Sequence, residues 1–209
     1  MMTAVHYPCV NELKEVAMTT TTRVPLAEVN GIYGALVKRF SKRRFGQVPE
    51  SLGVMWHNKA VLKDILRFAG SSSKWSSCDA QLKSFAHMAV AAEVGCGFCL
   101  DLGYFEAHNE KLDTEKAREV PRWRESDAFT ELEREVMEYA VAMSQTPPTV
   151  TDALSARLLD QLGAPALVEL TAFISAANLA SRTNVALGVK SQEFSTSCGL
   201  KPLATSSTT

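Results

Sequence analysis

The stretch Ala92-Glu93-Val94-Gly95-Cys96-Gly97-Phe98-Cys99-Leu100-Asp101 lies at the boundary between two predicted helices. Residues 81–94 carry apolar side chains at helical spacing, and Gly95 is expected to end that helix. Cys96 is then expected to begin the next helix. Because the two thiols are three residues apart, they lie on one helical face, close enough to form a disulfide or to share a metal ion.

The position of the cysteines at a helix N-terminus favours the thiolate over the thiol, because the helix dipole stabilises negative charge there. This interaction is worth roughly 0.3–1 kcal/mol, so it lowers the pKa of a thiol only modestly. A strong nucleophile therefore needs a neighbouring cation or base as well. The stretch predicts thiol chemistry at Cys96 and Cys99, and the cation or base has to be sought in the flanking sequence.

The composition is that of a globular protein. The chain has 209 residues, 46% hydrophobic and 22% charged, which is enough for one substantial core and short for two. The net charge of -1 creates no field that would attract nucleic acid or a membrane surface. No apolar run is expected to approach the roughly 18 residues that a membrane span needs. We therefore expect neither a nucleic-acid partner nor a membrane partner.

The cysteine count and the N-terminal charges indicate a reducing compartment. Glu12, Lys14 and Glu15 stand where a signal peptide would be apolar, and the five cysteines are an odd number. A cytoplasmic location is expected, where a CxxC pair is usually redox-active or metal-binding. A zinc site needs about four ligands, whereas the chain supplies one CxxC with no second local pair. We therefore expect no metal and no cofactor.

The chain is expected to form one all-α domain. The domain covers residues 23–203, between a disordered segment at 1–22 and a disordered tail at 204–209. No run of alternating β-branched residues predicts a sheet, and no glycine-rich phosphate loop is present. Helices are predicted at 25 to about 43, 61–70, 81–94, 130 to about 146, 152–163 and 166 to about 189. The last of these is expected to be the central helix of the core.

The combined pattern resembles the carboxymuconolactone decarboxylase and AhpD-like alkylhydroperoxidase superfamily. The resemblance covers roughly residues 25–200. It rests on the apolar helix at 82–94, the CxxC segment at 95–99, and the segments 101–104, 131–136, 167–172 and 178–184. The superfamily implies an all-helical, oligomeric fold, so a homo-oligomer is expected. The long apolar segment at 166–189 favours the same expectation, because one short helical chain does not easily cover it.

The resemblance also implies roles for the cysteines. Active AhpD-like members are thiol peroxidases, which makes Cys99 the residue that attacks the peroxide and Cys96 the one that resolves the sulfenic acid into a disulfide. Two positions depart from the pattern. Active members carry a histidine four residues after the second cysteine, where this chain has Gly103, and a glutamate about a dozen residues before the first, where it has Ser84. The usual proton relay is therefore missing.

Glu93 is the candidate replacement base, because it lies one helical turn before Cys96. The alternative for Glu93 is a solvent-facing side chain near a helix C-terminus. The histidines are expected to be structural. His108 lies more than two turns past the second cysteine, and His87 precedes the first by nine residues and can approach only through tertiary packing. His57 is expected in a loop or at a helix start.

Two functions of different class remain open. The first is a thiol-dependent antioxidant enzyme that reduces a hydroperoxide or another small molecule through the CxxC pair and is restored by a thiol reductant protein. The second is a non-peroxidase scaffold that binds a small molecule or a partner with idle thiols. The CxxC favours the first function, whereas Gly103 and Ser84 favour the second. We prefer the first and expect weak turnover.

Overall fold

The computed structural model describes residues 22–205, which form helices joined by turns with no strand among them. Residues 1–21 and 206–209, which hold most of the two predicted disordered ends, lie outside the described residues. The α-helices are α1 (Gly31–Phe45), α2 (Glu50–Met55), α3 (Lys59–Ser72), α4 (Ala80–Val94), α5 (Gly97–Asn109), α6 (Thr114–Glu119), α7 (Glu131–Ser144), α8 (Asp152–Leu162), α9 (Ala164–Leu187) and α10 (Phe194–Ser197). A 3-10 helix, Val120–Arg122, follows α6. The all-α prediction is confirmed, and the cysteines lie at the start of α5.

α4 is the central helix of the main core. It packs against α5, α7 and α9, and its side chains Phe85, Met88 and Val90 are completely buried. Small alanines on α4, at positions 86, 89 and 91, let the neighbouring helices approach closely. Burying a side chain the size of Phe85 stabilises the fold by roughly 1.5–3 kcal/mol. The helix that precedes the cysteines is thus held rigidly on several sides.

α9 lies at the side of the core, although the sequence predicts that it is the central helix. It buries one stripe, Ala166, Glu169, Leu170, Ile174, Ala177 and Ser181. Val168 and Leu179 on its other face are exposed. By length and composition alone, α9 could cross a membrane, although no such segment is expected from the sequence. The core helix of a soluble protein passes the same test. Length and apolar content do not show which faces of a helix neighbours cover.

Several helix ends follow their sequence signals. At the start of α7 the backbone N–H of Glu133 donates to Thr130 Oγ1 at 3.3 Å, and the N–H of Thr130 donates to Glu133 Oε2 at 2.8 Å. These two bonds form a capping box, which begins the helix predicted from residue 130. Thr151 caps α8, and Gly163 ends it. The short helices α2, α6 and α10 are not predicted, because four to six residues carry too little periodicity to be recognised.

The N-terminal region differs most from the prediction. α1 begins at Gly31 rather than near residue 25, because tertiary partners hold the preceding backbone extended. The N–H of Arg23 donates to the Leu187 carbonyl at 2.9 Å, and the N–H of Ala27 donates to the Gly53 carbonyl at 3.1 Å. α1, α2 and α3 share a small core of their own, formed by Val29, Leu52, Trp56 and Leu62.

The end of α3 and the C-terminal end of the packed domain both lie beyond their predicted positions. α3 continues past Gly70 to Ser72, because an exposed glycine inside a helix costs only about 1 kcal/mol. At the other end of the chain, the N–H of Ala204 donates to the Arg118 carbonyl at 3.0 Å. Ala204 is 9% exposed, so packing extends at least one residue past the predicted domain end at 203.

Buried ion pairs join the helices of the core. Lys83 Nζ donates to Glu169 Oε1 at 2.6 Å, which ties α4 to α9, and Lys116 Nζ donates to Glu133 Oε2 at 2.7 Å, which ties α6 to α7. Burial alone would raise the pKa of Glu169, but hydrogen bonds from Lys83 and from two backbone N–H groups lower that pKa below its usual 4.5. Hydrogen bonds outweigh burial at Glu133 in the same way, and its pKa is lowered too.

We expect these carboxylates to make the protein less stable in acid. Because the folded pKa of Glu169 lies below the ordinary 4.5, its contribution is present above pH 4.5 and is lost as the pH falls through the folded value. Glu169→Gln should lower the free energy of unfolding at pH 7 and weaken its fall on acidification, measured by urea unfolding at pH 7 and pH 4. The exposed Glu28→Gln is the control. An unchanged acid dependence in Glu169→Gln would contradict the assignment.

Candidate functional site

Gly95 fixes the position of the cysteines by ending α4 in a left-handed conformation, with φ 75° and ψ 28°. Its N–H donates to the Ala92 carbonyl at 3.2 Å, and the N–H of Cys96 donates to the Ala91 carbonyl at 2.8 Å. This pair of bonds is a Schellman motif, and residues with a Cβ rarely adopt the required φ. Cys96 therefore completes the end of α4 and is at the same time the N-cap of α5.

Cys96 and Cys99 form a disulfide, with their Cα atoms 5.3 Å apart. Cys96 Sγ accepts a hydrogen bond from the backbone N–H of Cys99 at 3.2 Å, as the side chain of a helix N-cap does. Both residues are buried, 1% and 3% exposed. In the reduced protein the N–H group and the helix dipole would both stabilise negative charge on the sulfurs.

Asn184, near the end of α9, is the polar side chain that binds Cys99. Its Nδ2 donates to Cys99 Sγ at 3.4 Å. A second Schellman motif holds this helix end, because the N–H of Val189 donates to the Asn184 carbonyl at 2.9 Å and the N–H of Gly188 donates to the Val185 carbonyl at 3.1 Å. An amide N–H directed at a thiolate stabilises its charged form, so Asn184 favours ionisation of Cys99 in the reduced protein.

Arg23 completes the end of α9 from the N-terminal side. Its Nη1 donates to the carbonyls of Val185 and Ala186, each at 2.7 Å, and its backbone N–H donates to Leu187. The last carbonyls of a helix have no partner within it, and a cation is stabilised there by the helix dipole. Arg23 therefore anchors residues 22–24 beside the end of α9.

An apolar cluster surrounds the disulfide. Its buried members besides the cysteines are Val54, Ala91, Phe98, Phe105, Val189 and Phe194. Phe194 makes edge contacts with Phe98 and Phe45, with ring centroids 5.8 and 6.2 Å apart. The sulfurs therefore lie in an aromatic environment, covered in part by the C-terminal segment that carries Phe194.

Asp101, on α5, holds that C-terminal segment in place. Its Oδ2 accepts hydrogen bonds from Ser191 Oγ at 2.8 Å and Phe194 N–H at 2.9 Å. Its Oδ1 accepts from Ser195 N–H at 3.0 Å and Ser195 Oγ at 2.6 Å. Tertiary hydrogen bonds of this kind have no local signature in the sequence.

The candidate base Glu93 is exposed, and its carboxylate accepts a hydrogen bond from Gln145 at the end of α7. Its role as a base stays a prediction. His57 is exposed and its Nε2 is 2.8 Å from the Pro25 carbonyl, and His108 lies in the last turn of α5. His87 is partly buried on α4, where it meets Phe173 edge to face with ring centroids 6.5 Å apart.

Gly103 lies one helical turn after Cys99 and is tightly packed against α4. A Cβ at this position would be 2.9 Å from Met88 Cγ and 3.4 Å from His87 Nδ1. The imidazole of His87 therefore borders the space that a side chain at 103 would enter. His87 is expected from the sequence to be structural, because nine residues of separation do not show that the helix reversal at Gly95 returns the chain beside it.

Comparison with known proteins agrees with this fold. The sequence model of the carboxymuconolactone decarboxylase family matches residues 59–142. The uncharacterized protein YnjA of Escherichia coli (strain K12) is 39% identical over 152 residues, which are 72% of this chain and 84% of that protein. The chain belongs to the carboxymuconolactone decarboxylase family, and the resemblance found in the sequence is confirmed.

Solved structures share the fold. An AhpD-core, peroxidase-related protein from Ralstonia eutropha JMP134 superposes with a TM-score of 0.73 at 15% identity, over 85% of this chain and 96% of that one. The debrominase Bmp8 superposes with a TM-score of 0.72 at 19% identity, over 87% of this chain and 97% of that one. A cysteine-to-alanine variant of Bmp8 is known in complex with 2,3,4-tribromopyrrole. At these identities the likeness shows the fold alone.

We expect Asp101→Asn to loosen the segment that covers the disulfide. The substitution keeps the shape but removes a charge that accepts hydrogen bonds from Phe194 and Ser195, so the free energy of unfolding should fall by about 2 kcal/mol. Reduction of the disulfide by dithiothreitol should become faster than in the native protein. The exposed Asp64→Asn is the control, and equal reduction rates in Asp101→Asn and the native protein would contradict the covering role.

Proposed function

We propose that the protein is a thiol-dependent oxidoreductase that reduces a small hydroperoxide through Cys99 and Cys96. The observation that carries the proposal is the disulfide at the N-terminus of α5, in which Cys99 Sγ also accepts a hydrogen bond from Asn184. A structural disulfide is uncommon in a reducing compartment, whereas a CxxC pair at a helix N-terminus is typical of redox enzymes. The proposal includes a cytoplasmic location.

The proposed reaction balances with the groups present and one external reductant. The Cys99 thiolate attacks the terminal oxygen of the hydroperoxide, the O–O bond breaks, and the alkoxide leaves as the alcohol with the proton that the thiol released on ionisation. Cys99 is then a sulfenic acid. The Cys96 thiol attacks its sulfur, which forms the disulfide and releases water. A dithiol protein reduces the disulfide by exchange and restores both thiols.

The surroundings of the sulfurs support an organic substrate. Phe98, Phe105 and Phe194 make the environment of the disulfide aromatic and nearly dry. An apolar hydroperoxide gains more from such a site than hydrogen peroxide does, because it also buries its own hydrocarbon surface. Access requires a local opening, since neither sulfur is exposed to more than a few per cent. Slow turnover is therefore part of the proposal.

The second candidate function is that of a binding scaffold in which the two thiols do not react. The replacement of the family histidine by Gly103 and of the family glutamate by Ser84 favours this function, as does the burial of both sulfurs. The two functions differ in one property: only the oxidoreductase reacts with an electrophilic substrate at Cys99. Because the fold is shared with a debrominase, a brominated pyrrole belongs in the assay beside the hydroperoxides.

We expect Cys99→Ser to abolish the reaction with cumene hydroperoxide, because it removes the attacking sulfur. Cys96→Ser should still undergo one round of oxidation and stop at the sulfenic acid, which mass spectrometry detects after trapping with dimedone. Cys78→Ser is the matched control: burial raises the pKa of the Cys78 thiol to about 11, so it should remain inert.

The result that would contradict the oxidoreductase is a reduced native protein in which both thiols stay unmodified after mild peroxide treatment. The scaffold function would then be the better account. Consumption of the brominated pyrrole without consumption of hydroperoxide would keep the thiol chemistry and change the substrate.

Self-association stays a prediction. Exposed apolar side chains follow one face of α1, where Ile32, Leu36 and Phe40 are 86%, 62% and 52% exposed, and Val168 and Leu179 are exposed on α9. Apolar patches of this kind are typical of contact surfaces. We expect sedimentation velocity at micromolar concentration to show a dimer or larger. A monomer throughout the concentration range would contradict the expectation.

A further inference from the structure

An imidazole from the neighbouring helix lies beside Gly103, the position one helical turn after Cys99. Cys99 and Gly103 lie one turn apart on the same face of α5, so their side-chain positions are about 5–6 Å apart. A Cβ built on Gly103 would be 3.4 Å from His87 Nδ1 and 3.6 Å from His87 Cε1. The ring of His87 therefore borders the position one helical turn after Cys99. Water that enters when the site opens for its substrate can bridge the remaining gap to the sulfur.

The charges around His87 suit a proton acceptor. Burial lowers the pKa of His87 below its usual 6.5, and the negative charge of Glu106 on α5 opposes that shift. The imidazole is therefore neutral at pH 7 and has a carboxylate near it that would stabilise the imidazolium. Arg44, from α1, donates to Glu106 Oε1 at 2.8 Å and holds that carboxylate in place.

The other charged groups near His87 leave Glu106 as its main electrostatic partner. Glu110, at the C-terminal end of α5 and one turn after Glu106, lies 4.0 Å from Arg44. Lys83, one turn before His87 on α4, is paired with Glu169 of α9. Phe173, which packs against the ring from α9, carries no charge.

We propose that His87 accepts the proton of the Cys99 thiol, and that Glu106 stabilises the resulting imidazolium. The proposal rests on the oxidoreductase function above and supplies the base that this function lacks. The usual arrangement is exchanged between the two helices: the histidine is on α4, before the cysteines, and the carboxylate is on α5, after them.

The step conserves protons and electrons. His87 takes the proton from Cys99, and the thiolate attacks the hydroperoxide. As the O–O bond breaks, the departing alkoxide recovers that proton from the imidazolium and leaves as the alcohol. Cys99 carries the oxygen as a sulfenic acid, and His87 returns to its neutral form.

The test compares His87→Gln with His108→Gln, since both remove one histidine and only the first removes the proposed acceptor. Alkylation of Cys99 by iodoacetamide and its oxidation by cumene hydroperoxide are followed from pH 5 to 9, with the Cys99 peptide quantified by mass spectrometry. In the native protein both rates should fall as the pH drops through a value below 6.5, where His87 becomes protonated. In His87→Gln this inflection should vanish, and oxidation at pH 7 should slow by at least about tenfold.

Two further variants separate proton transfer from packing. Glu106→Gln removes the charge that raises the pKa of His87, so the inflection should move to lower pH. This variant also covers the case in which His87→Gln does not fold. Glu93→Gln examines the competing base: if this variant, rather than His87→Gln, loses the inflection, the acceptor is Glu93 and the role of His87 is wrong.

The outcomes distinguish this proposal from the one on which it rests. If native Cys99 is never oxidised by the hydroperoxide, the oxidoreductase function fails, but the pH profile of alkylation still shows whether His87 is coupled to Cys99. If oxidation occurs and His87→Gln matches His108→Gln in rate and profile, the role of His87 is wrong and the oxidoreductase stands. A fixed inflection in Glu106→Gln would overturn the role of Glu106.

Discussion

The structure depends on the left-handed turn at Gly95. One residue ends α4 through a Schellman motif and lets the chain reverse so that α5 packs beside α4. Cys96 takes part in both helix ends, donating its N–H to Ala91 and accepting the N–H of Cys99 on its sulfur. A Cβ at position 95 would strain this left-handed conformation. A change in the turn would shift α5 relative to α4 and so displace the cysteines.

The end of α9 supplies the second half of the site by the same physical means. Gly188 ends α9 in a left-handed conformation like that of Gly95, and this motif fixes Asn184 beside Cys99. Arg23 donates hydrogen bonds to the Val185 and Ala186 carbonyls at this helix end, so the segment that begins the described chain is held there by the electrostatics of the helix end. The sulfurs thus meet one helix at its N-terminus and another close to its C-terminus, and each is fixed by backbone hydrogen bonds.

The sequence was sufficient where the determinant is local. Gly95 and the capping box at Thr130 act over three or four residues, so their patterns predicted the helix ends and the position of the cysteines correctly. Asn184 binds Cys99, which is 85 residues away in the sequence, and Asp101 binds Ser195, which is 94 residues away. Nothing beside Asn184 or Asp101 in the sequence indicates these partners. The extended segment before α1 is a similar case, because the Leu187 carbonyl that binds Arg23 is remote in the chain.

Gly103 shows how a departure from a family pattern can be a packing solution. A Cβ at this position would lie 2.9 Å from Met88 Cγ, so any side chain there requires α4 to move or Met88 to change its rotamer. His87 and Met88 already fill the volume that a histidine at 103 would take. A histidine at position 103 of α5 and His87 of α4 would therefore occupy the same space. The glycine at position 103 leaves that space free for His87. The absence of the usual residue from one helix is consequently no sign by itself that the chemistry has been lost, because the neighbouring helix brings an imidazole beside the position one turn after the same cysteine.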